Sequence, residues 1–188
     1  MDTSERLIRS TQELLRDRGY VGTSPKAIQQ RAQAGQGSMY HHFSGKPALA
    51  LAAIRRTAEE LRAETEALLA GGGTALDRIE KYLLRERDVL RGCPVGRLAQ
   101  DPDIVASEDL RQPVHETFDW LRRRLAEVLA DGVARNELPA DLDPDATAVT
   151  LAAVVQGGYV LARAASSAEP FERAIDGVRK LLGAISQH

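Results

Sequence analysis

Gln33-Ala34-Gly35-Gln36-Gly37-Ser38-Met39-Tyr40-His41-His42-Phe43 is the stretch on whose reading the fold turns. It is too short and too rich in glycine and polar groups for an ordinary core helix. Its apolar anchors, Met39 and Phe43, are four residues apart and share one helical face. Gln36, Ser38, Tyr40 and His41 take the other face. A short helix pinned by two apolar residues, with hydrogen-bonding groups outward, suits entry into a DNA major groove. The competing reading is a polar surface loop, and the flanking sequence decides between them.

Upstream, Leu7, Ile8, Thr11, Leu14 and Leu15 form one stripe over residues 3–18, a helix stopped by Gly19. Asp2 with Glu5 reads as a capping-box start, and Tyr20 and Val21 are expected to pack back. Ser24 and Pro25 open a second helix as N-cap and first residue, with Ala27, Ile28 and Ala32 inward. A supporting helix followed by two short helices around a tight turn is a helix-turn-helix unit.

Downstream, the chain reads as all α, because glycine and proline fall between helical periodicities and no β-branched alternation occurs. Residues 46–70 form a long helix ended by Gly71-Gly72-Gly73. Thr74 caps a helix expected to reach Arg91, with Leu76, Ile79, Leu83, Leu84 and Val89 inward. A turn at Gly92-Cys93-Pro94-Val95-Gly96 leads to a short helix at Leu98 and Ala99. A long helix runs from Ser107 to about Asn136, with Pro113 kinking it or splitting off its first turn. Two last helices span about 144–166 and 169–187. The former is so apolar that a second copy of the chain is the expected cover.

The chain is therefore expected to fold into about nine helices. Residues 1–46 form a three-helix DNA-binding domain, and residues 47–188 a helical bundle for ligand binding and dimerisation.

The totals agree with this class. Of 188 residues, 43% are apolar and 28% charged, a globular balance. The net charge is −2, yet residues 1–50 carry seven Lys/Arg against four acids, which favours phosphate contact at that end. The one cysteine, Cys93, excludes an internal disulfide framework and a Cys-rich metal site. No apolar run reaches the ~18 residues of a membrane span, and no signal peptide is legible. A cytoplasmic protein without cofactor, metal or membrane is the expectation.

Thr23-Ser24, Ile28, Ala32, then Gly37-Ser38-Met39-Tyr40-His41-His42-Phe43, Lys46 and Leu49 resemble the DNA-binding domain of the TetR family of bacterial transcriptional repressors. Gly92-Cys93-Pro94-Val95-Gly96 with Leu98-Ala99 resembles that family's LmrA/YxaF-like branch. The chain departs from the usual pattern at three positions. Gln33 stands where a turn glycine is common, Gly35 where a Ser/Thr cap is usual, and Pro47 where glutamate is usual. The turn before the recognition helix is expected to be rebuilt around Gln33.

Gln36 has the chemistry to bond adenine bidentately, and Ser38 is an adaptable donor or acceptor. The resemblance implies base-edge reading by these two and phosphate contact by Tyr40, His41 and Lys46. Ser24 and Lys26 add phosphate contacts at the second helix. Gly37 and His42 complete the DNA-binding set, although His42 serves equally well as a structural residue. The expected partners are a double-stranded operator, a small-molecule effector and a second copy held through the last two helices. The effector is expected to be apolar or aromatic, among Tyr82, Leu98, His115, Phe118, Asp119, Gln156 and Tyr159. Its binding would shift the fourth helix and release the repressor from a palindromic operator. Each of these seven, taken singly, reads more readily as core or surface.

The alternative is an all-α small-molecule carrier or enzyme with an incidental helix-turn-helix. Cys93, Asp101 and His115 lack the spacing of a catalytic triad, and the adjacent His41 and His42 point apart, a poor metal pair. Arg122-Arg123-Arg124 reads as a solvated face. No catalytic constellation supports an enzyme.

Overall fold

The structure is a computed structural model that describes residues 2–185. Nine α-helices and no strand occur among the described residues. They are α1 (Thr3–Arg18), α2 (Pro25–Ala32), α3 (Gln36–His42), α4 (Lys46–Leu69), α5 (Ala75–Leu84), α6 (Pro102–Ala106), α7 (Glu108–Ala134), α8 (Pro144–Ala165) and α9 (Glu169–Ile185). The short helix expected at Leu98 is a 3-10 turn, Leu98–Gln100, and α6 follows it. Residues 186–187, expected in the last helix, lie outside the described residues. Two compact units form: Met1–Leu61 with Cys93–Thr117, and Arg62–Gly92 with Phe118–His188.

In the first unit the apolar stripes meet as their spacing demands. Leu7, Leu14, Ile28, Ala32, Met39 and Leu49 form a closed core, with Ile8, Ala27, Ala34 and Phe43 packed against it. Burying a Leu, Ile or Met side chain is worth about 1.5–3 kcal/mol, enough to hold the short α2 and α3 that propensity alone could not. The Ser24 hydroxyl accepts from the Ala27 N–H at 3.2 Å, with Pro25 first in α2. Arg6 Nε donates to the Ala32 carbonyl at the end of α2, 3.2 Å away.

Three expectations for this unit change. Asp2 caps α1 through the Thr3 N–H, but Glu5 closes no capping box; its carboxylate pairs with Arg56 of α4 at 2.9 Å. A guanidinium offers a charge-assisted bond stronger than a backbone N–H that water already serves. Tyr20 packs back, whereas Val21 stays 58% exposed. The α2–α3 turn is not rebuilt, because Gln33 itself takes the left-handed conformation, φ 49°, ψ 46°.

The segment 93–117, which sequence reading assigned to the second domain, packs in the first unit. Asp101 is the cause. One carboxylate oxygen accepts the N–H groups of Tyr20 (2.8 Å) and Val21 (3.1 Å). The other accepts those of Asp103 (3.2 Å) and Ile104 (3.4 Å), capping α6. Arg97 Nη1 adds a bond to the Asp17 carbonyl at 2.8 Å. Gly19, at φ 74°, makes room, since a Cβ there would lie 2.8 Å from Asp101 Oδ2. α7 continues through Pro113 rather than breaking, and Thr117 Oγ1 bonds the Pro113 carbonyl at 2.7 Å.

In the second unit, Thr74 and Asp77 form a reciprocal capping box at the start of α5. The helix expected to reach Arg91 ends at Leu84. Arg87 folds back on it: Nη1 donates to the carbonyls of Leu83 (2.7 Å) and Arg85 (2.9 Å), and Nη2 to that of Tyr82. These bonds serve carbonyls left unpaired at a helix end and place a cation at its negative pole. Leu84 is consequently 55% exposed rather than inward. Arg124 of α7 grips Glu66 of α4 with two bonds, 2.7 and 2.9 Å, which hold the Glu66 carboxyl below its ordinary range.

α8 and α9 pack closely. Phe171 seats on Gly158, where a Cβ would lie 2.9 Å from the ring, and Tyr159 stacks on it at 4.9 Å. Part of the apolar surface of α8 and α9 stays uncovered among the described residues: Val149, Val160 and Leu161 are 48–55% exposed, and Leu181 and Ile185 of α9 are 66% and 40% exposed. By length and composition α8 could cross a membrane, with a third of that stretch buried. The expectation that no apolar run reaches that length does not hold for this helix, whose apolar character is diluted but not ended by Asp145, Thr147, Thr150 and Gln156. A helix buried in a protein interface has the same composition.

Candidate nucleic-acid interface

α3 is pinned to the core by Met39, which is fully buried and receives a weak bond from Gln29 Nε2 on its sulfur at 3.6 Å. Its partner Phe43 ends the helix and is half-buried. With that face fixed, Gln36, Gly37, Tyr40, His41 and His42 are exposed and Ser38 half-buried. Tyr40 is 49% exposed, so its ring is surface rather than core. The two histidine rings meet edge to face at 5.1 Å. Gly35 precedes the helix without any side-chain cap bond. Ser24 and Lys26, at the start of α2, are both exposed.

Lys46 differs from the others. Its ammonium lies 3.8 Å from the centroid of the Tyr20 ring, a cation–π contact worth about 0.5–2 kcal/mol. Burial lowers its pKa, while Asp103 and Asp101 act in the opposite direction. Burial raises the Tyr20 pKa, and the same two carboxylates add to the rise. Sequence reading missed both the Tyr20–Lys46 stack and the clamp formed by Asp101. Asp101-Pro102 carries a legible N-cap signature; nothing local points to a tie with Tyr20, 81 residues away.

The seven residues expected around an effector divide. Leu98 and His115 belong to the first unit, with Leu98 buried and His115 exposed. The other five belong to the second. Tyr82 and Tyr159 are buried there, and Phe118 and Gln156 half-buried. Asp119 is engaged by Arg122 at 2.8 Å and Arg123 at 3.0 Å. An open groove of about 540 Å³ in the second unit is lined by Leu68, Gly72, Asp77, Lys81, Leu84 and Arg85 among others, and contains none of the seven. No group of three metal-ligating side chains occurs among the described residues. Cys93 is buried, and both oxygens of Asp101 are occupied by N–H groups.

Residues 7–53 match the family model described as bacterial regulatory proteins, tetR family, and residues 73–178 match the tetracyclin repressor-like C-terminal domain. The chain belongs to the TetR family. The C-terminal match spans the Gly92–Ala99 segment without assigning the LmrA/YxaF-like branch. Among curated relatives, the transcriptional regulator AcuR of Cereibacter sphaeroides is 31% identical over 149 residues, covering 76% of this chain and 68% of that protein. The transcriptional repressor NemR of Escherichia coli K12 is 27% identical over 188 residues, covering 96% and 94%. The crystal structure of the reduced form of E. coli NemR has a TM-score of 0.83 to this chain at 26% identity, covering 96% of each chain. A TetR regulator from Chloroflexus aurantiacus has a TM-score of 0.82 at 29% identity, covering 95% and 92%. This TetR-family protein is a helix-turn-helix transcriptional regulator and not an enzyme, which removes the enzyme alternative.

Proposed function

We propose that the protein is a homodimeric repressor whose residues 1–46 read a palindromic operator and whose residues 47–188 bind a small effector and dimerise. The outward face of α3 supports this most directly. Gln36 and Ser38 reach base edges, and Gly37 allows close approach of the backbone. Tyr40, His41 and His42, with Ser24 and Lys26 from α2, contact the flanking phosphates. Lys46 joins them by leaving or sharing the Tyr20 ring. The uncovered apolar face of α8 and α9 supports dimerisation through those helices. A protein that acts on chromosomal DNA in a bacterium works in the cytoplasm.

An apolar or aromatic effector among Tyr82, Phe118, Asp119, Gln156 and Tyr159 of the second unit would favour a conformation in which the two heads no longer match adjacent major grooves. A coupling of about 1–3 kcal/mol suffices for control. Asp119, tied to two arginines, is the member with least capacity left for a ligand.

The test is selection of bound duplexes from a random pool, followed by mobility shifts with the selected operator. The expected motif is an inverted repeat with half-sites about one turn apart, roughly 34–36 Å. Tyr40→Ala is expected to weaken binding at least 10-fold with unchanged helical content. Equal binding by the variant overturns the assignment of the reading face.

A further inference from the structure

Lys46 is the first residue of α4, a position where a cation meets the positive pole of its own helix. Burial lowers its pKa as well, so neither the helix nor the surroundings favour an ammonium there. The ring of Tyr20 does. The ammonium lies 3.8 Å from the ring centroid, over the negative face of the π-system. A ring face meets the charge of a lysine and leaves N–H donors for oxygen acceptors. Among the described residues no hydrogen bond or ion pair takes those donors.

Tyr20 is itself fixed. It is 8% exposed. Its N–H donates to Asp101 Oδ2 at 2.8 Å. Its carbonyl accepts the Thr23 N–H at 3.1 Å, and Thr23 Oγ1 bonds the Gly19 carbonyl at 2.6 Å. Burial raises the pKa of its hydroxyl, so the ring stays neutral. All these residues belong to the first unit. A lysine on an open surface carries much rotamer freedom and loses it on meeting a phosphate. Lys46 has surrendered part of that freedom to a rigid ring before DNA arrives, and pre-organisation of this kind favours binding.

We propose that Tyr20 is a positioning residue for DNA binding, whose ring holds the Lys46 ammonium so that its idle N–H groups meet a DNA phosphate while the ring contact persists. This rests on the reading of Lys46 as a phosphate contact, and it selects sharing of the ring over leaving it. It also extends the DNA-binding machinery to Asp101, which fixes Tyr20 from the segment 93–117.

The test uses the full-length protein and two duplexes, the selected operator and one of unrelated sequence, titrated at several salt concentrations. Tyr20→Phe keeps the ring and is expected to retain affinity. Tyr20→Leu is expected to weaken binding to both duplexes about 5-fold. It is also expected to make the dependence of log affinity on log salt shallower, by at most about one per head. In a Lys46→Ala background the same change is expected to add nothing. Tyr20→pentafluorophenylalanine keeps the ring's shape and reverses the charge on its face, so it is expected to match Tyr20→Leu. It carries the test alone if Tyr20→Leu unfolds by circular dichroism. The proposal is overturned by a fluorinated variant that binds as Tyr20→Phe does, by an unchanged salt dependence, by a loss confined to the operator, or by a full effect of Tyr20→Leu in the Lys46→Ala background. Undiminished affinity in Lys46→Ala itself overturns the phosphate reading of Lys46 and the role of Tyr20 with it. A weakened Lys46→Ala beside an unaffected Tyr20→Leu overturns the role of Tyr20 alone.

Discussion

Gln33 holds a left-handed conformation between α2 and α3, which costs a residue with a side chain about 1–2 kcal/mol. A glycine there would relieve that strain and lose about 0.5–1 kcal/mol through the greater freedom of the unfolded chain. The difference favours the substitution. Gln33→Gly is expected to stabilise the protein by roughly 0.5–1 kcal/mol, read from the midpoint of urea unfolding; a lower midpoint would show that the Gln33 side chain contributes more than its strain. That Gln33 is unusual was legible from its place in the pattern. That it would take the glycine conformation rather than alter the turn was not. The reason lies in Ala32 and Met39, both buried in one core, which hold the two helices in register and force the turn residue to comply. Asp101 gives the opposite lesson. Its N-cap role was written locally, and its second role, receiving Tyr20 and Val21, depends on a neighbour brought up only by folding.

Among the elements, periodicity located every long helix, and caps located most of their starts. Ends were less legible. α5 stops at Leu84 because the side chain of Arg87 competes with the helix for three carbonyls, and helical propensity at residues 85–91 carries no sign of that competition. α8 shows how much one face of an element decides. Gly157 and Gly158 read alike in sequence, as small residues allowing close approach. Phe171 of the same chain fills the space at Gly158, whereas a Cβ at Gly157 would meet nothing within 4 Å. Gly158→Ala is therefore expected to cost about 1–3 kcal/mol through overpacking, while Gly157→Ala leaves the fold intact. Thermal unfolding of the two variants side by side checks this; equal melting temperatures would mean that Phe171 yields at no cost.

For the whole molecule, the exposed residues Val149, Val160, Leu161, Leu181 and Ile185 are the feature a lone chain leaves unexplained. Large apolar side chains gathered on two helices mark a surface that a partner covers. The proposed dimer makes operator affinity depend on that surface, because two heads on one duplex gain from effective concentration what one head lacks. Leu161→Glu with Leu181→Glu is expected to yield a folded monomer by sedimentation and to weaken operator binding at least 100-fold, although neither substituted residue belongs to the unit that holds α3. A double variant that remains dimeric would place the interface elsewhere. Salt supplies an independent reading, since a dimer contacting phosphates through both heads loses affinity steeply as counterion release is suppressed.

The sequence by itself determined the helical class, the helix-turn-helix and the outward chemistry of α3. These depend on local periodicity, on caps, and on the spacing of Met39 and Phe43, all written within one or two helical turns. Tertiary structure alone decided that residues 93–117 pack with the first unit through Asp101, that Lys46 rests on Tyr20, and that Arg85 and Arg87 meet over the Tyr82 ring. Each depends on which side chain arrives opposite which, a choice made by packing between segments far apart in the chain.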